Sequence, residues 1–517
     1  MTIATPLSTI IALARAGALD HAWGQFAAAG YDRDDGDPAA LTVKGRLLKD
    51  HALRAADEAV RRRFYLEAAD AYRRSAALQP ATYPLINAAT LSLLSGDREQ
   101  AEEIARQVLE RIAREPDEPE TPYYRAATQS EALLLLGRTG EARAALEAAV
   151  AAAPRAWEDH GSTLRQFEII HARLGSDPAW LDLLRPPRSL HYAGAVAFGD
   201  EARIEREIAA ALDEERIGFG FGGLAAGGEI LVAEALLARD AALHLILPSD
   251  AESFAARMVD PFGADWRRRF DAALDRAESV EHVRPLQTAP DARMVALAEE
   301  IARGAAMLNA ERLMSEAVAL RIGDGGAGRL RSHVVDPPPG AAPIEAGVGT
   351  DPRASLLALL AVGVGGGGEE GFEDRLEDVQ EALASAGVAR IAPHLGGDSI
   401  LIGYEGPGEA AAAARIIHAR LRSRMPLRVA AHYGLIRCVR DPFTGSGRPT
   451  ESGAAIVRAI AGAIPPDTIC VSHDFASVLA ARAGAPSEAN LIGELQALDG
   501  GSPTGLYALR PAAPSED

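Results

Sequence analysis

Cysteine is almost absent from this chain, which has Cys438 and Cys470 as its two thiols among 517 residues. Two cysteines are too few for a disulfide framework or for a cysteine-based zinc site. Both lie in predicted strands of the C-terminal region, where we expect them to be buried and unreactive. The sequence therefore excludes small domains that are held together by disulfides or by zinc.

Long apolar runs and an excess of positive charge are also missing. No uncharged apolar stretch reaches the ~18–20 residues that a membrane-spanning helix needs. The N-terminal segment lacks the basic region and the cleavage site of a signal peptide, so we expect a cytoplasmic protein with no membrane partner. The formal net charge is −20. Because an acidic surface repels phosphate backbones, nucleic acid is not expected as a partner.

What the chain does contain is typical of a multidomain globular protein, with 48% hydrophobic and 24% charged residues. At about 150 residues per domain, the length predicts three or four domains. The changes in pattern along the chain predict four regions: a helical repeat domain at 1–186, an α/β domain at 187–324, a Gly/Pro-rich linker at 325–352 and an α+β domain at 353–512.

Two segments of the first region align with each other, namely residues 71–112 and 127–154. Each has an apolar helix that ends near a glycine (Gly96, Gly137), a polar turn, and a second helix with small residues at its start. This pattern is typical of tetratricopeptide repeats, and the acidic insert at 114–122 accounts for their wide spacing. The block resembles the TRAF-binding-type repeats that precede cyclase domains in some bacterial proteins. The resemblance implies a protein partner.

The region at 187–324 alternates strands and helices in a βαβαβ order, which predicts a parallel, Rossmann-like sheet. A glycine-rich turn at 218–228 follows a strand and opens a helix, a place that suits a phosphate or a ribose. The candidate cofactor-binding residues are Gly220, Gly222, Gly223, Gly227 and Glu229. The turn does not follow a clean G-x-G-x-x-G spacing, so a tight turn without a ligand is the competing explanation. For Glu229 the competing explanation is a carboxylate favoured by the helix dipole. The continuation at 247–280 resembles a nucleotide-sensor domain, which implies a nucleotide as a possible ligand.

The last region, at 353–512, has a strand, a helix, a hairpin with Gly396, Gly397 and Asp398 at its turn, a helix, and further strands. This order resembles the class III adenylate/guanylate cyclase catalytic domain. The resemblance implies a ferredoxin-like α+β fold and a homodimer. It also implies two aspartates that hold two metal ions, an Asn and an Arg that act on the transition state, and a Lys that recognises the purine.

The two metal-binding aspartates that this family requires are only partly present. Asp398, in "GGDSILIGY", matches the second metal aspartate, although Gly-Asp is also ordinary hairpin-turn chemistry. The first metal aspartate aligns with Ala361, and the loop after it is a glycine run at 365–368. The resemblance implies Mg²⁺ or Mn²⁺ as the cofactor if the site is functional, and the sequence establishes no other cofactor.

The remaining catalytic positions also depart from the family pattern. His394 stands where the purine-recognising Lys is usual, and Ala455 and Ala459 stand at the Asn and Arg positions. Arg458 is one residue away, and a shift of one residue turns a helical side chain by about 100°. The alternative is an alignment that differs by one residue, which places Arg458 at the Arg position. His432 matches a histidine that we expect to be structural. Three coincident losses predict a signalling protein whose cyclase-like domain is a pseudoenzyme.

Three alternatives stay open at this level. The first is an active cyclase with a rearranged site, in which Asp441 or Glu451 supplies the second carboxylate beside Asp398. The second is an inactive subunit that forms a heterodimer with an active cyclase. The third is a binding scaffold that takes no nucleotide at all.

Overall fold

The chain folds into two compact units in a computed structural model, with the boundary between Pro186 and Pro187. The structure describes residues 5–115, 121–194, 196, 200–283, 292–323, 329–336, 353–364, 372–396, 398–422, 424–442, 445–482, 489–496 and 503–510. Gly397, the glycine run at 365–368, most of the insert at 114–122 and the linker from 337 onward lie outside the described residues.

The described part of the first unit is helical and is built from antiparallel helix pairs. A 3-10 helix at Ala179–Leu184 closes this unit. Its α-helices are α1 (Leu7–Arg15), α2 (Leu19–Ala28), α3 (Pro38–Arg54), α4 (Glu58–Leu78), α5 (Thr82–Ser95), α6 (Arg98–Arg114), α7 (Pro122–Leu135), α8 (Thr139–Ala152) and α9 (Trp157–Leu174).

The turn between α5 and α6 explains why the repeat pattern is readable from sequence. Gly96 has φ +94° and ends α5, a left-handed conformation that glycine adopts without strain. The next residue, Asp97, accepts a hydrogen bond from the Gln100 backbone N–H at 3.0 Å and caps α6. Ala101 and Ala105 are buried, and their small side chains let α6 pack closely against α5. Local chemistry alone therefore determines this pair of helices.

The second unit contains two sheets, and the first of them is entirely parallel. Its strand order is β4-β3-β2-β1-β5-β6. The strands are β1 (Arg188–Gly194), β2 (Ile217–Gly222), β3 (Ala242–Leu247), β4 (Ser279–His282), β5 (Ala317–Ile322) and β6 (Arg331–Val335). The helices are α10 (Glu201–Glu214), α11 (Gly228–Ala238), α12 (Ala251–Met258), α13 (Ala264–Arg276) and α14 (Ala292–Arg312).

One face of this sheet forms an apolar core with α10, α11, α12 and α13, in which Leu190, Tyr192 and Leu245 are buried. The opposite face is more polar, and α14 lies across it. Asn309 of α14 donates a hydrogen bond to the Ser189 hydroxyl at 3.0 Å, and both side chains are buried. The two faces therefore differ in chemistry as well as in the helices that cover them.

Part of the predicted linker at 325–352 is not a linker, because residues 331–335 form β6 at the edge of this sheet. The strand is held by a buried carboxylate, since Arg331 and His333 contact Glu215 at 2.5 Å and 2.6 Å. Glu215 is only 3% exposed and also pairs with Arg188. The sequence did not indicate this strand, because the carboxylate that holds its side chains lies more than a hundred residues earlier in the chain.

The second sheet has the order β13-β14-β12-β10-β7-β9-β8, with β11 paired to β10. Its strands are β7 (Ala354–Gly363), β8 (Ile391–Gly396), β9 (Ser399–Tyr404), β10 (Arg428–Arg440), β11 (Gly447–Pro449), β12 (Thr468–Ser472), β13 (Ala489–Leu495) and β14 (Thr504–Leu509). Its helices are α15 (Phe372–Leu383), α16 (Pro407–Leu421), α17 (Glu451–Ala463) and α18 (His473–Arg482). Helix α17 covers one face of this sheet and shares an apolar cluster with its strands. Helices α16 and α18 also contact the sheet, but their residues do not belong to that cluster.

The two sheets of the second unit meet where α14 packs against α18. Gly304 lies directly against the backbone of Ser477, so that a Cβ at this position would overlap the Ser477 carbonyl. Beside this contact, Arg482 pairs with Glu300 at 2.6 Å and donates to the Tyr433 hydroxyl at 3.2 Å. Among the helices that the structure describes, none is long and apolar enough to cross a membrane.

We predict that Gly304→Ala destabilises the second unit by about 1–3 kcal/mol, because the added methyl group forces α14 away from a backbone that cannot yield. Gly462→Ala is the matched control, since a Cβ there meets nothing within 4 Å. The control should be neutral or stabilising by up to about 1 kcal/mol. Calorimetric unfolding of the full chain measures both, and equal Tm values for the two variants would contradict the packing.

Candidate functional site

A polar cleft of about 720 Å³ opens beside the turn between β8 and β9 and the exposed side of α17. Six of its lining side chains are charged or titratable: His394, Asp398, Arg428, Arg448, Glu451 and Arg458. The cleft thus brings together Asp398 and His394, which the sequence singled out, with three arginines. Of these, Arg428 and Arg448 were not singled out from the sequence, although both lie in stretches that resemble the cyclase family.

Asp398 lies in the hairpin turn and faces the cleft. Its carboxylate accepts a hydrogen bond from the Ser399 hydroxyl at 3.2 Å. Its backbone carbonyl accepts from the Val364 N–H at 2.9 Å, which ties the turn to the end of β7. The turn therefore holds one carboxylate at the edge of the cleft.

Ala361, the aligned position of the other metal aspartate, lies in a different environment. It is fully buried on β7 and pairs with Leu401 and Ala430 on the neighbouring strands. Gly363 pairs with Ser399 at the cleft, so Ala361 is two positions deeper in the sheet. There it packs beneath Val457 of α17, in an apolar cluster. A carboxylate at this position would be buried among hydrocarbon side chains.

The two carboxylates that could have rearranged into a metal site are already engaged by arginines. Asp441 pairs with Arg448 at 2.9 Å and its side chain is only 11% exposed. Glu451 pairs with Arg458. Within the described ranges, no group of three or more His, Cys, Asp or Glu side chains could hold a metal ion. These residues do not fit a two-metal centre, which needs carboxylates that converge on both ions.

The chemistry of the cleft is instead that of an anion site. Arg458 faces the cleft and lies against Gly396, where a Cβ would come within 2.7 Å of its Nη2 atom. Its Nε atom is buried and has no partner among the described residues. Ala455 and Ala459 are both partly buried and do not line the cleft. Burial lowers the pKa of His394, and the charges of Arg448 and Arg458 lower that pKa further.

The other predicted structural residues have clear packing roles. His432 is buried in β10 and its Nδ1 atom hydrogen-bonds the Ser472 hydroxyl at 2.9 Å. Cys470 is buried and Cys438 is partly exposed, and both thiols are free. Burial raises the pKa of Cys470 to about 12, so this thiol is not reactive at neutral pH.

The glycine-rich turn after β2 is explained by packing within its own domain. A side chain at Gly220 would overlap Leu236, and one at Gly222 would come within 2.6 Å of the Tyr192 ring. A Cβ at Gly223 would come within 2.5 Å of the Glu229 carboxylate, and Gly227 has φ +100°. These contacts favour the tight-turn explanation over the predicted phosphate or ribose site.

Glu229 occupies the position where a ligand was expected to meet the turn. Its side chain folds back and accepts a hydrogen bond from the Ala225 N–H at 2.7 Å. The residue is only 7% exposed, and this burial raises the pKa of Glu229 to about 7. The Glu229 carboxyl group therefore already accepts a hydrogen bond from one of the backbone N–H groups that the turn could offer to a ligand.

Comparison with known proteins finds one family match and several similar solved structures. The model of a family described as Tetratricopeptide Repeats-Sensor matches residues 8–92. No curated protein matches the sequence. An adenylate/guanylate cyclase/hydrolase from Silicibacter pomeroyi has a similar structure, at 19% identity and a TM-score of 0.25, over 31% of this chain and 99% of that one.

Two further solved structures are similar to parts of the chain. The adenylyl cyclase CyaB from P. aeruginosa matches 31% of this chain and 95% of its own, at 13% identity and a TM-score of 0.24. An O-GlcNAc transferase mutant from Thermobaculum terrenum matches 58% of this chain and 60% of its own, at 13% identity and a TM-score of 0.18. At these identities and scores, the activity of these proteins is not transferred to this chain.

We predict that Glu229→Gln removes a pH dependence from the stability of the second unit. The folded-state pKa of about 7 lies above the unfolded value of 4.5. The stabilisation is therefore complete below pH 4.5 and is lost as the pH rises through 7. The loss in the native chain amounts to about 3 kcal/mol at most. Glutamine keeps an acceptor for the Ala225 N–H but does not ionise.

The measurement is the Tm of the native chain, Glu229→Gln and Glu205→Gln between pH 5 and pH 8. Glu205 is an exposed carboxylate on α10 and serves as the control. The Glu229→Gln protein should be the most stable of the three at pH 8 and should lose that advantage at pH 5. Parallel pH profiles for all three proteins would refute the buried-carboxyl account.

Proposed function

We propose that this chain is a regulatory signalling protein whose C-terminal domain has a class III cyclase-type, ferredoxin-like fold but does not form cyclic nucleotides. Its N-terminal repeats are of a type that suggests protein–protein interaction. The Rossmann-like middle domain acts as the sensor, and the C-terminal domain forms a homodimer. The observation that carries the proposal is Ala361, buried in the apolar cluster beneath α17.

Cyclisation of a nucleoside triphosphate makes two demands on a site of this type. The attacking 3′-hydroxyl must lose a proton, and the triphosphate charge must be neutralised while the bond forms. Two metal ions perform both tasks only when two carboxylates hold them in place. Asp398 supplies one carboxylate, and the position of the other lies in an apolar cluster. The cost of the missing ligand falls on the transition state, so catalysis is lost before binding is.

The arginines of the cleft suit binding without catalysis. Arg428, Arg448 and Arg458 line the same cleft as Asp398. Guanidinium groups neutralise phosphate charge and hold its oxygens in a fixed geometry, but they do not activate a hydroxyl nucleophile as a metal ion does. A nucleotide whose phosphate is held in this cleft would thus not be cyclised, and its binding would affect the rest of the chain.

Competing carboxylates do not rescue the reaction. Glu451 lines the cleft, but its charge is paired with Arg458. Asp441 is paired with Arg448 and is nearly buried. Recruiting either carboxylate to a metal would break an ion pair that the protein already forms. The rearranged-site alternative therefore has an energetic penalty that the pseudoenzyme account does not have.

We predict that the purified full-length protein forms no cyclic AMP or cyclic GMP from ATP or GTP in the presence of Mn²⁺. The product is measured by mass spectrometry beside Asp398→Ala and beside an active class III cyclase as a positive control. Cyclic product that disappears in Asp398→Ala would contradict the proposal.

Light scattering on the same sample tests the homodimer, whose mass should be twice the chain mass of 54.3 kDa.

A further inference from the structure

An unusual group of polar side chains lies beneath α14, on the polar face of the parallel sheet. His191 of β1 is completely buried, and neither of its ring nitrogens has a hydrogen-bond partner. The Nε atoms of Arg303 on α14 and Arg321 on β5 are also buried without a partner. Buried polar atoms almost always have partners in folded proteins, so three unpartnered groups in one place require an explanation.

The three side chains converge because of strand register. Arg321 pairs with Ala193, which is two residues beyond His191 on β1. Side chains two residues apart in a strand share a face, so His191 and Arg321 point to the same side of the sheet. Helix α14 packs across β1, β2 and β3 on that side and contributes Arg303. Ala193 places only a methyl group between the histidine and Arg321.

The group lies where the strand order reverses. From β1 the chain builds β2, β3 and β4 on one side and then returns to place β5 and β6 on the other side. The crevice between the carboxyl ends of β1 and β5 is the usual ligand position in an open parallel sheet. Arg321 is the penultimate residue of β5, and Ala193 is the penultimate residue of β1. The polar group therefore faces this crevice.

The charges of the group are not balanced within the protein. Arg321 pairs with Glu299 of α14 at 2.8 Å. Arg303 has no hydrogen-bond or ion-pair partner among the residues that the structure describes. The His191 ring is neutral, because burial lowers its pKa to about 3 and the two arginine charges oppose protonation. A neutral imidazole offers one N–H donor and one acceptor. The group is thus rich in hydrogen-bond donors, and of its two arginines the structure pairs Arg321 with a carboxylate.

We propose that His191, Arg303 and Arg321 form a binding site for the phosphate group of a phosphorylated small molecule. A phosphate supplies the acceptors that the guanidinium Nε atoms and the imidazole N–H lack. It also offsets the cost of the buried Nε atom of Arg303, which has no partner among the described residues. The site adjoins the glycine-rich turn, because the Glu229 carboxyl group interacts electrostatically with Arg321 and Glu299, but the Ala225 amide of the turn is occupied by Glu229.

The position of Arg303 connects this site to the second sheet. The next residue, Gly304, is the closest point of contact between α14 and α18. Glu300, one turn earlier on α14, pairs with Arg482 at the end of α18. A ligand that fixes Arg303 therefore acts on the same helix that holds the cyclase-type domain. The binding site itself does not depend on the proposed function. Its effect on the cyclase-type domain rests on the sensor role that we propose above.

The test is a calorimetric titration of the full-length chain with inorganic phosphate, pyrophosphate and ADP, with the Tm of each complex measured in parallel. The native chain should bind at least one of the three probes. Arg303→Met should weaken that binding about 10-fold or more. Its Tm without ligand should stay equal or rise, because a buried nitrogen without a hydrogen-bond partner has been removed. A purely structural arginine would instead lower that Tm.

Two further variants make the result specific. Arg206→Met removes an exposed arginine of α10 and should leave this binding unchanged, whereas Arg303→Lys should retain part of it. Binding of ADP without binding of phosphate or pyrophosphate would identify a nucleotide as the source of the phosphate group. Unchanged binding in Arg303→Met, or no binding of any probe by the native chain, would overturn the proposal. Cyclic product in the cyclase assay would affect only the proposed function.

Discussion

The packing of α14 is the constraint on which the second unit depends. This helix covers the polar face of the parallel sheet on one side and contacts α18 on the other. The contact is possible only because Gly304 has no side chain to separate the two backbones. Charged pairs such as Arg482 with Glu300 lie beside it and fix the orientation. Two sheets of different topology are thereby joined through one helix.

That arrangement gives a physical route between the two halves of the unit. A change at the crevice between β1 and β5 acts on α14, and a shift of α14 must be met by α18. Interfaces packed at this distance do not deform gradually, because backbone atoms already touch. The C-terminal sheet in turn presents the cleft that contains Asp398 and Arg458. A regulatory protein needs this kind of connection, whereas a scaffold of independent modules does not.

Much of the fold could be predicted because its signals are local. The pair of helices around Gly96 follows from a left-handed glycine and the Asp97 cap. The long strand β10 and the hairpin before β9 follow from apolar runs and a Gly-Asp turn. Strand β6 could not be predicted, because five residues between glycines and prolines carry little periodicity. Its stability comes from Glu215, which is distant in sequence.

The candidate sites could likewise be predicted only where the sequence signal is local. The position of Asp398 was predicted from a turn motif, and the environment of Ala361 agrees with the loss of a carboxylate there. The orientation of Arg458 was not predicted, because the expected register of α17 differed from the face that lines the cleft. His191, Arg303 and Arg321 were missed entirely. They come from two strands and a helix, and no local pattern connects them before the sheet is formed.

The central claim is that the cleft at Asp398 has lost its two-metal chemistry. The most direct measurement is an electron paramagnetic resonance titration of Mn²⁺ into the full-length protein with an unreactive ATP analogue. The account predicts no bound Mn²⁺ that depends on Asp398, so the native chain and Asp398→Ala should give the same titration. Two tightly bound Mn²⁺ ions per chain that are lost in Asp398→Ala would contradict it.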